Sequence, residues 1–312
     1  MGGEVILHGP VLGIDVGGTR TKFGLVDLAE RKIIVELVRP TCTDGFEQYL
    51  LSISEAFGDL CQSGKIDQRR VRACGVGLPG FVGPRISALW KPLSFLEGNQ
   101  LVPALARTLQ MPIRADNDAR LVALGEANFA SPSGAQRLLS LTLGSGLGFG
   151  FVVQGRLQEP TSINHLAGHI PVRSIAERCY CGFHGCLEML VSASGLMRSY
   201  REALTAAPDG DKKVAGTAEE VFEAAQSQSP AAVRGVRQWL VDLSAGLNAY
   251  IYLFGPNTIV IGGGLSKSLD PWMRELESLL FALPREGYTV ELKTSRLQES
   301  AGVLGAAALF LS

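Results

Sequence analysis

Residues 11–26 read Val-Leu-Gly-Ile-Asp-Val-Gly-Gly-Thr-Arg-Thr-Lys-Phe-Gly-Leu-Val. An apolar run from Val11 to Ile14 precedes a turn rich in glycine, and a second apolar run extends from Phe23 to Val26. Short apolar runs on both sides of such a turn predict two strands joined as a hairpin. This stretch is therefore expected to present a row of backbone N–H groups at the tip of a β-hairpin.

The same layout returns further along the chain. Leu138 to Leu143 is apolar, a second glycine-rich turn follows, and Phe149 to Val153 is apolar again, with Gly144 standing 127 positions after Gly17. Two copies of one hairpin indicate an internal duplication. Because 312 residues suffice for two medium-sized domains, we predict a two-domain α/β protein.

Both turns are candidates for phosphate binding, since glycine lets backbone N–H groups approach phosphate oxygens closely. In the first turn, the carboxylate of Asp15 could also hold a magnesium ion through water. Neither turn matches a Walker A motif or a dinucleotide fingerprint. The alternative is a pair of ordinary hairpin turns, but two such turns in matching contexts favour phosphate binding. The residues concerned are Asp15, Gly17, Gly18 and Thr19 in the first turn and Gly144, Ser145 and Gly146 in the second.

A polar segment, Asp116-Asn117-Asp118, lies between a short apolar run and a helical pattern from Ala119 to Ala127. One interpretation makes Asp118 a helix N-cap, which would be the ordinary role of an isolated Asn-Asp pair. The other makes Asp118 a general base that takes the proton of an attacking hydroxyl in phosphoryl transfer. Asp116 is expected to be solvated or structural.

Three of the six cysteines fall within eight residues, at Cys179, Cys181 and Cys186, and His169 stands ten positions before the first. Three thiolates and one imidazole complete a tetrahedral zinc site and leave no position for water. The sequence therefore predicts a structural zinc loop. The alternative, buried or redox-active thiols, is less consistent with such dense spacing.

These motifs resemble those of ROK proteins, a family of sugar kinases and sugar-sensing repressors in the hexokinase/actin superfamily. The resemblance covers nearly the whole chain. It implies an α/β, two-domain actin/hexokinase-like (ribonuclease H-like) fold with duplicated mixed sheets and an interdomain cleft. The motifs that carry it are Asp15-x-Gly17-Gly18-Thr19, Gly77-Leu78-Pro79-Gly80, Asn117-Asp118-Ala119, Gly144-Ser145-Gly146-x-Gly148, Gly168-His169, the cysteine loop and Gly262-Gly263-Gly264.

The resemblance implies an ATP-dependent sugar kinase with ATP, Mg²⁺ and Zn²⁺ as cofactors and Asp118 as the catalytic base. It assigns the adenosine side of the nucleotide to Gly262, Gly263 and Gly264, and sugar contacts to Gly80, Asn117, His169 and Glu188. In the family the C-terminal tail returns to the first domain. We therefore predict an N-terminal domain over residues 1–118 with a return helix at 300–312, and a larger domain over 119–299 that carries the zinc loop.

Composition limits the partners. The net charge of −1 lacks the positive excess that is typical of nucleic-acid-binding proteins. No apolar run is long enough for a membrane span, and no secretory signal begins the sequence. Clustered cysteines of the metal-binding type favour a reducing, cytoplasmic location. The expected partner is a small sugar, and the sequence leaves open whether the chain forms a homodimer.

Two departures from the family pattern concern the sugar. Leu166 stands where the family usually has a sugar-binding glutamate, although a one-residue slip would involve His165 instead. The segment Lys91-Pro92-Leu93-Ser94-Phe95 replaces one that normally supplies a sugar-binding asparagine. A sugar-binding regulator with weak or no kinase activity is therefore the alternative function. A repressor is not expected, because only 14 residues precede Asp15 and a DNA-reading domain needs roughly 60–80.

Overall fold

The computed structural model describes residues 9–87, 91–131, 136–158, 163–206, 215–280 and 287–311. In chain order its strands are β1 (Val11–Val16), β2 (Arg20–Asp27), β3 (Lys32–Pro40), β4 (Ala73–Leu78), β5 (Phe81–Val82), β6 (Ile86–Ser87), β7 (Ile113–Asn117), β8 (Arg137–Leu143), β9 (Leu147–Val153), β10 (Arg156–Leu157), β11 (Thr258–Gly262) and β12 (Glu291–Thr294).

The α-helices are α1 (Phe46–Ser63), α2 (Leu101–Leu109), α3 (Asp118–Gly125), α4 (Leu187–Val191), α5 (Ala193–Ala206), α6 (Ala218–Gln226), α7 (Pro230–Phe254), α8 (Ser266–Leu269), α9 (Met273–Leu280) and α10 (Ala301–Ala308). A π-helical turn over Glu126–Ala130 continues α3, and 3₁₀ turns include Lys91–Leu96 and Asn164–His169. Among the described helices, none is both long and apolar enough to cross a bilayer.

The two predicted hairpins open two five-stranded sheets of the same topology. The first sheet has the order β3-β2-β1-β4-β7 and the second has the order β10-β9-β8-β11-β12. In each, the first strand of the hairpin lies at the centre and pairs in parallel with the next long strand, β1 with β4 and β8 with β11. The internal duplication inferred from the glycine-rich turns is thus present in the strand order.

The chain divides into two compact units. The first comprises Met1–Ala135, Gly150–His165 and Arg296–Ser312, and the second comprises Gln136–Phe149 and Leu166–Ser295. The sequence predicted a domain boundary after Asp118, with the chain returning to the first domain at residue 300. That boundary stays a prediction.

In the first unit, helices α1 and α2 contribute to the larger apolar core on the sheet, and α10 packs with a smaller cluster that includes Val11 and Ala73. The fit of α10 depends on small residues. A Cβ atom at Gly305 would lie 1.7 Å from the carbonyl oxygen of Leu121 on α3, and one at Gly75 would lie 1.8 Å from that of Ala306. The small apolar tail seen in the sequence therefore lets backbones approach one another closely.

In the second unit, the 25-residue helix α7 is bounded by clear signals. Ser229 caps its N-terminus by accepting from the N–H of Ala232, Pro230 occupies the first turn, and Gly255 ends it in the left-handed region at φ 53°. Its apolar stripe buries Val236, Leu240, Leu243, Leu247 and Ile251.

Candidate functional site

The first glycine-rich turn joins β1 to β2. The N–H of Gly17 donates to the carbonyl of Arg20 (3.0 Å) and closes the hairpin. Thr41 supports the turn from outside: its hydroxyl donates to the carbonyl of Gly17 (2.6 Å) and its N–H donates to that of Thr19 (3.0 Å). Among the described residues no acceptor takes the N–H groups of Gly18 and Thr19. These two donors are available to a phosphate, whereas that of Gly17 is already engaged.

Asp15 lies next to the end of β1 and is partly buried. Burial raises the pKa of its carboxyl, and the positive charge of Lys22 opposes that rise. Helix α10 comes close behind the carboxylate, because a Cβ atom at Gly302 would lie 2.5 Å from the Asp15 Cγ atom. A carboxylate desolvated in this way favours a cation beside it.

Asn117 and Asp118 lie where β7 ends and α3 begins. The N-cap is Asn117, whose Oδ1 atom accepts from the N–H groups of Ala119 (3.0 Å) and Arg120 (3.3 Å). Asp118 is the first residue of the helix, and its Oδ1 atom accepts from the N–H of Ala119 (2.8 Å). The interpretation of Asp118 as the N-cap is therefore wrong, because the preceding asparagine performs that task.

The other side of the Asn117 amide holds the loop after β4. Its Nδ2 atom donates to the carbonyl of Gly80 (3.2 Å) and, at 3.5 Å, to that of Leu78. Gly80 has φ 89°, which is a conformation that glycine adopts without strain. Asn117 thus positions the Gly80 turn against the start of α3. Its expected contact with a sugar stays a prediction.

Asp15 and Asp118 lie at the same edge of the first sheet. Asp15 on β1 is in register with Gly77 on β4, and Gly77 is in register with Asp116 on β7. Burial, and to a lesser extent the negative charge of Asp15, raise the pKa of Asp118 to about 6, while the hydrogen bond from Ala119 opposes the rise. Two carboxylates with one strand between them therefore share a desolvated edge.

Asp116 serves a structural purpose. Its carboxylate accepts from the Nε atom of Arg120 at 2.8 Å and from an Nη atom at 3.3 Å, and it also accepts from the N–H of Asn117 (2.7 Å). Arg120 is 7% exposed. The pair fixes the first turn of α3, and hence the direction of Asp118, through a buried arginine that the sequence pattern did not single out.

The second glycine-rich turn, between β8 and β9, is held by a carboxylate. Glu188, in the first turn of α4, accepts from the N–H of Leu147 at 3.2 Å. The carbonyl of Gly144 accepts from the N–H of Ala193 (2.8 Å). A Cβ atom at Gly146 would lie 3.3 Å from the Glu188 Oε2 atom. The glycine pattern predicted phosphate binding at this loop and the family resemblance implied a sugar contact for Glu188, but neither indicated that the two lie in contact.

The glycine triplet after β11 lies beside the end of β8. Gly263 has φ 86°, and a Cβ atom there would lie 2.3 Å from the carbonyl oxygen of Leu143, which immediately precedes the second glycine-rich turn. Leu265 donates its N–H to the same carbonyl (3.3 Å), and Ser266 donates to the carbonyl of Gly263. Gly262, Gly263 and Gly264 are therefore next to Gly144 within the second unit.

His169 and the three clustered cysteines come together. Their four donor atoms lie within 4.8 Å of one another. The Cys179 Sγ atom is 3.5 Å from the His169 Nδ1 atom, and the Cys181 and Cys186 Sγ atoms are 3.4 Å apart. A tetrahedral zinc site with bonds of about 2.0–2.3 Å has edges of roughly 3.5–3.8 Å. The cluster fits a zinc ion, and all its thiols are free.

The loop between these donors turns on two glycines. Gly182 has φ 100°, and its N–H donates to the carbonyl of Cys179 (2.9 Å). Gly185 has φ 71°, and a Cβ atom there would lie only 1.6 Å from the carbonyl oxygen of Arg173. The His169 Nε2 atom lies 2.8 Å from the Tyr180 hydroxyl. Such a contact on the outer ring nitrogen fixes the orientation of a ligating histidine.

An ion pair with a buried carboxylate and a half-buried guanidinium ties this loop to helix α7. Arg173 donates through its Nε and Nη2 atoms to both carboxylate oxygens of Asp242, at 2.8 and 3.0 Å, and Asp242 is 2% exposed. Gln238 donates to the same carboxylate (3.2 Å). No local pattern predicted this pair, because 69 positions separate Arg173 from Asp242 and neither belongs to a motif.

The positions that depart from the family pattern occupy different surroundings. Leu166 lies in the 3₁₀ turn before His169 and is partly buried. His165 is 8% exposed, and its ring packs edge-on against Phe81 with a centroid distance of 4.7 Å. Phe81 follows Gly80, so His165 lies beside the loop that Asn117 holds.

Comparisons with known proteins agree with these motifs. The model of the ROK family matches residues 11–312. A glucokinase of Thermotoga maritima is 30% identical over 312 residues, covering 96% of each chain. An N-acetyl-D-glucosamine kinase of Haemophilus influenzae is 28% identical and covers 96% of this chain and 99% of its own. The crystal structure of a ROK family glucokinase from Streptomyces griseus in complex with glucose and AMPPNP superposes with a TM-score of 0.75 at 28% identity, covering 96% of this chain and 99% of that one.

Proposed function

Because this chain belongs to the ROK family, we propose that it transfers the γ-phosphate of ATP to a hydroxyl of a hexose or N-acylhexosamine, and that this hydroxyl is the 6-OH. The family has the actin-like α/β fold described above. Support for the reaction comes from relatives named as glucokinase and N-acetyl-D-glucosamine kinase and from a neighbour that binds glucose and AMPPNP.

The observation that carries the proposal is the environment of Asp118. With its pKa raised to about 6, most of this carboxyl is ionised at pH 7, yet it is a stronger base than an ordinary aspartate. A base with its pKa near the working pH takes a hydroxyl proton efficiently. Asp118 accepts the proton of the sugar hydroxyl as the hydroxyl oxygen attacks the γ-phosphorus, and the bond to the β-phosphate oxygen breaks.

The phosphates are bound by backbone donors. The N–H groups of Gly18 and Thr19 would bind phosphate at the first turn, and Gly144, Ser145 and Gly146 would do so at the second. Gly262, Gly263 and Gly264 would lie on the adenosine side of the nucleotide. Asp15 would hold Mg²⁺, through water, because its desolvated carboxylate gains from a neighbouring cation. The ion, when bound with the nucleotide, neutralises phosphate charge.

Zinc would be held by His169, Cys179, Cys181 and Cys186, whose donor spacing fits a tetrahedral ion. Its role would be structural, because four protein ligands leave no open position. The chain leaves this loop into α4, so the metal would fix the position of Glu188. Together with Gly80, Asn117 and the His169 backbone, Glu188 forms the proposed sugar contacts.

Leu166 directs the choice of sugar. A glutamate in its place would offer charge-assisted hydrogen bonds to sugar hydroxyls, each contributing about 1.5–3 kcal/mol. Leucine offers none and leaves such a hydroxyl unpaired. We therefore expect weak affinity for glucose and better use of a hexose that is N-acetylated or otherwise substituted at the matching carbon.

The test is a screen of ADP release over hexoses and N-acylhexosamines, with Asp118→Asn as the matched inactive control. Turnover of at least one sugar, with kcat/KM rising as the pH increases through about 6, would support the proposal. Sugar binding measured by calorimetry without any ADP release would instead favour the alternative, a sugar-binding regulator. The absence of both binding and turnover across the panel would contradict both functions.

A further inference from the structure

Tyr180 lies between the first two cysteines of the zinc loop and reaches two side chains that the family resemblance assigns to the sugar. Its hydroxyl is 2.8 Å from the His169 Nε2 atom, and the two rings meet edge-on at a centroid distance of 4.8 Å. Desolvation, the negative charge of Glu188 and a hydrogen bond to that carboxylate raise the pKa of Tyr180. One phenol hydroxyl in the second unit therefore lies between His169 and Glu188.

The neighbours of this hydroxyl determine which atom donates each hydrogen bond. The His169 Nδ1 atom faces the Cys179 Sγ atom at 3.5 Å, so we place the ring hydrogen on Nε2, which then donates to the Tyr180 oxygen. A carboxylate only accepts, so Tyr180 donates its single proton to Glu188. Glu188 also accepts from the N–H of Leu147 (3.2 Å). The chain of hydrogen bonds thus runs from the zinc loop to the second glycine-rich turn.

A sugar hydroxyl bound at His169 and Glu188 would make the same two hydrogen bonds, because any hydroxyl can accept from the imidazole and donate to the carboxylate. Tyr180 therefore occupies the position of one sugar hydroxyl. A hexose with a free hydroxyl there must displace the phenol, and two existing hydrogen bonds are then exchanged for two new ones without a net gain. A hexose without that hydroxyl leaves both existing bonds intact.

Leu166 provides a second observation at the same place. Leu166 and His169 are three positions apart in one 3₁₀ turn, where side chains at i and i+3 eclipse one another. The apolar side chain therefore stands beside the imidazole that Tyr180 contacts. The leucine and the tyrosine both remove partners that a free sugar hydroxyl would need at this end of the site.

Tyr180 is also accessible to a ligand. It is 74% exposed, and together with Glu188 and Ser145 it lines a cavity of about 620 Å³. That volume lies within the range of about 300–1,000 Å³ of small-molecule sites and is sufficient for a hexose. A sugar in this cavity would meet the tyrosine, and the exposed ring has space to swing away from His169.

We propose that Tyr180 determines the sugar specificity of the site by occupying the place of one hydroxyl, so that the preferred hexose lacks a free hydroxyl at the carbon that faces His169 and Glu188. The inference rests on the proposed sugar site and adds a second residue to the role given to Leu166. Carbon 6 is excluded as that carbon, because its hydroxyl is the proposed phosphoryl acceptor.

The experiment combines one change in the protein with one change in the sugar. Binding is measured by calorimetry without nucleotide for glucose and its 1-, 2-, 3- and 4-deoxy analogues, with the wild type and with Tyr180→Ala. At one carbon, the wild type should bind the deoxy analogue at least as tightly as glucose. Tyr180→Ala should bind glucose about 5–20-fold more tightly than the wild type does, since two hydrogen-bonding partners become available, and it should prefer glucose to that analogue.

Two further variants separate this effect from a change in the loop. Phe183→Ala is the matched control, because Phe183 is an aromatic residue of the same loop and is 64% exposed. It should leave every affinity unchanged. Tyr180→Phe keeps the ring and should shift the glucose affinity in the same direction as Tyr180→Ala. The metal content of each variant should equal that of the wild type.

A gain of affinity for glucose is a result that a purely structural tyrosine would not produce. Weaker or unchanged glucose binding in both Tyr180 variants would overturn this inference and leave the proposed function in place. Absence of binding by the wild type to every sugar of the panel would overturn both this inference and the proposed sugar site. Sugar binding without ADP release would remove the kinase reaction alone, because the test of Tyr180 needs no nucleotide.

Discussion

The burial that raises the pKa of Asp118 should also lower the free energy of unfolding at neutral pH, where the carboxyl is charged. Its pKa rises from the ordinary value of 3.8 to about 6 on folding, so the folded state binds this proton more tightly than the unfolded state does. Stability from this group is therefore complete below pH 4 and is lost as the pH rises to 6. A shift of about two pKa units corresponds to roughly 3 kcal/mol, which is an upper bound because Asp118 is only partly buried.

Asp118→Asn removes the charge and keeps an oxygen that can accept from Ala119. We expect the variant to be more stable than the wild type above pH 7 by about 1–3 kcal/mol, or roughly 2–10 °C in melting temperature. The advantage should shrink between pH 6 and pH 4, because the wild-type carboxyl becomes neutral in that window. The assay is thermal unfolding at half-unit pH steps, with the difference between the two proteins as the readout.

Asp116→Asn is the contrasting control, because this carboxylate is paired with Arg120. Removing its charge leaves the buried guanidinium of Arg120 without a counter-charge and should lower stability at neutral pH. The reasoning about Asp118 is refuted if Asp118→Asn is less stable than the wild type at pH 8. It is equally refuted if the difference does not change with pH.

Three further predictions concern the metal, helix α10 and the sugar. Protein purified without added metal should contain one zinc per chain by elemental analysis. The Cys181→Ser variant should lose the zinc, and the control Cys42→Ser should keep it. A zinc-free protein with a disulfide between Cys179 and Cys186 would contradict the assignment. Gly302→Ala should reduce turnover more than 10-fold and destabilise by about 1–3 kcal/mol, since its Cβ atom would meet Asp15 at 2.5 Å. Gly58→Ala, in helix α1 with its nearest neighbour 3.5 Å away, should leave turnover unchanged and stabilise by about 0.4–1 kcal/mol. Leu166→Glu should improve turnover of glucose relative to a substituted hexose; a native protein with sub-millimolar KM for glucose that rejects substituted hexoses would overturn this expectation.

Local patterns predicted the parts of the fold that local physics determines. The hairpin at Asp15 and its copy at Gly144 were recognisable because apolar runs and glycines alternate over a few residues. The sheets built on them confirm the duplicated α/β fold. The spacing from His169 to Cys186 predicted a cluster of donors, and the structure brings those four residues together.

Contacts between distant parts of the chain left no such pattern. The approach of Gly302 to Asp15 joins positions far apart, and nothing in the tail except small residues hinted at it. The hydrogen bond from the Leu147 N–H to Glu188 could not be predicted either. A phosphate-binding loop is expected to have positive or neutral neighbours, and Glu188 is negatively charged. At the Asn-Asp pair the sequence offered Asp118 as the possible N-cap of α3, and the backbone geometry shows that Asn117 is the cap instead.

The catalytic role of Asp118 is tested most directly by the turnover of Asp118→Asn on the sugar that the wild type phosphorylates best. At pH 7.5 we predict a loss of about 10²–10⁴-fold in kcat, with the Kd for the sugar by calorimetry unchanged within about 3-fold. That combination would mean that the carboxylate acts on the reacting hydroxyl and does not merely hold the substrate. A variant that retains near-wild-type kcat would contradict the role of Asp118 as the base.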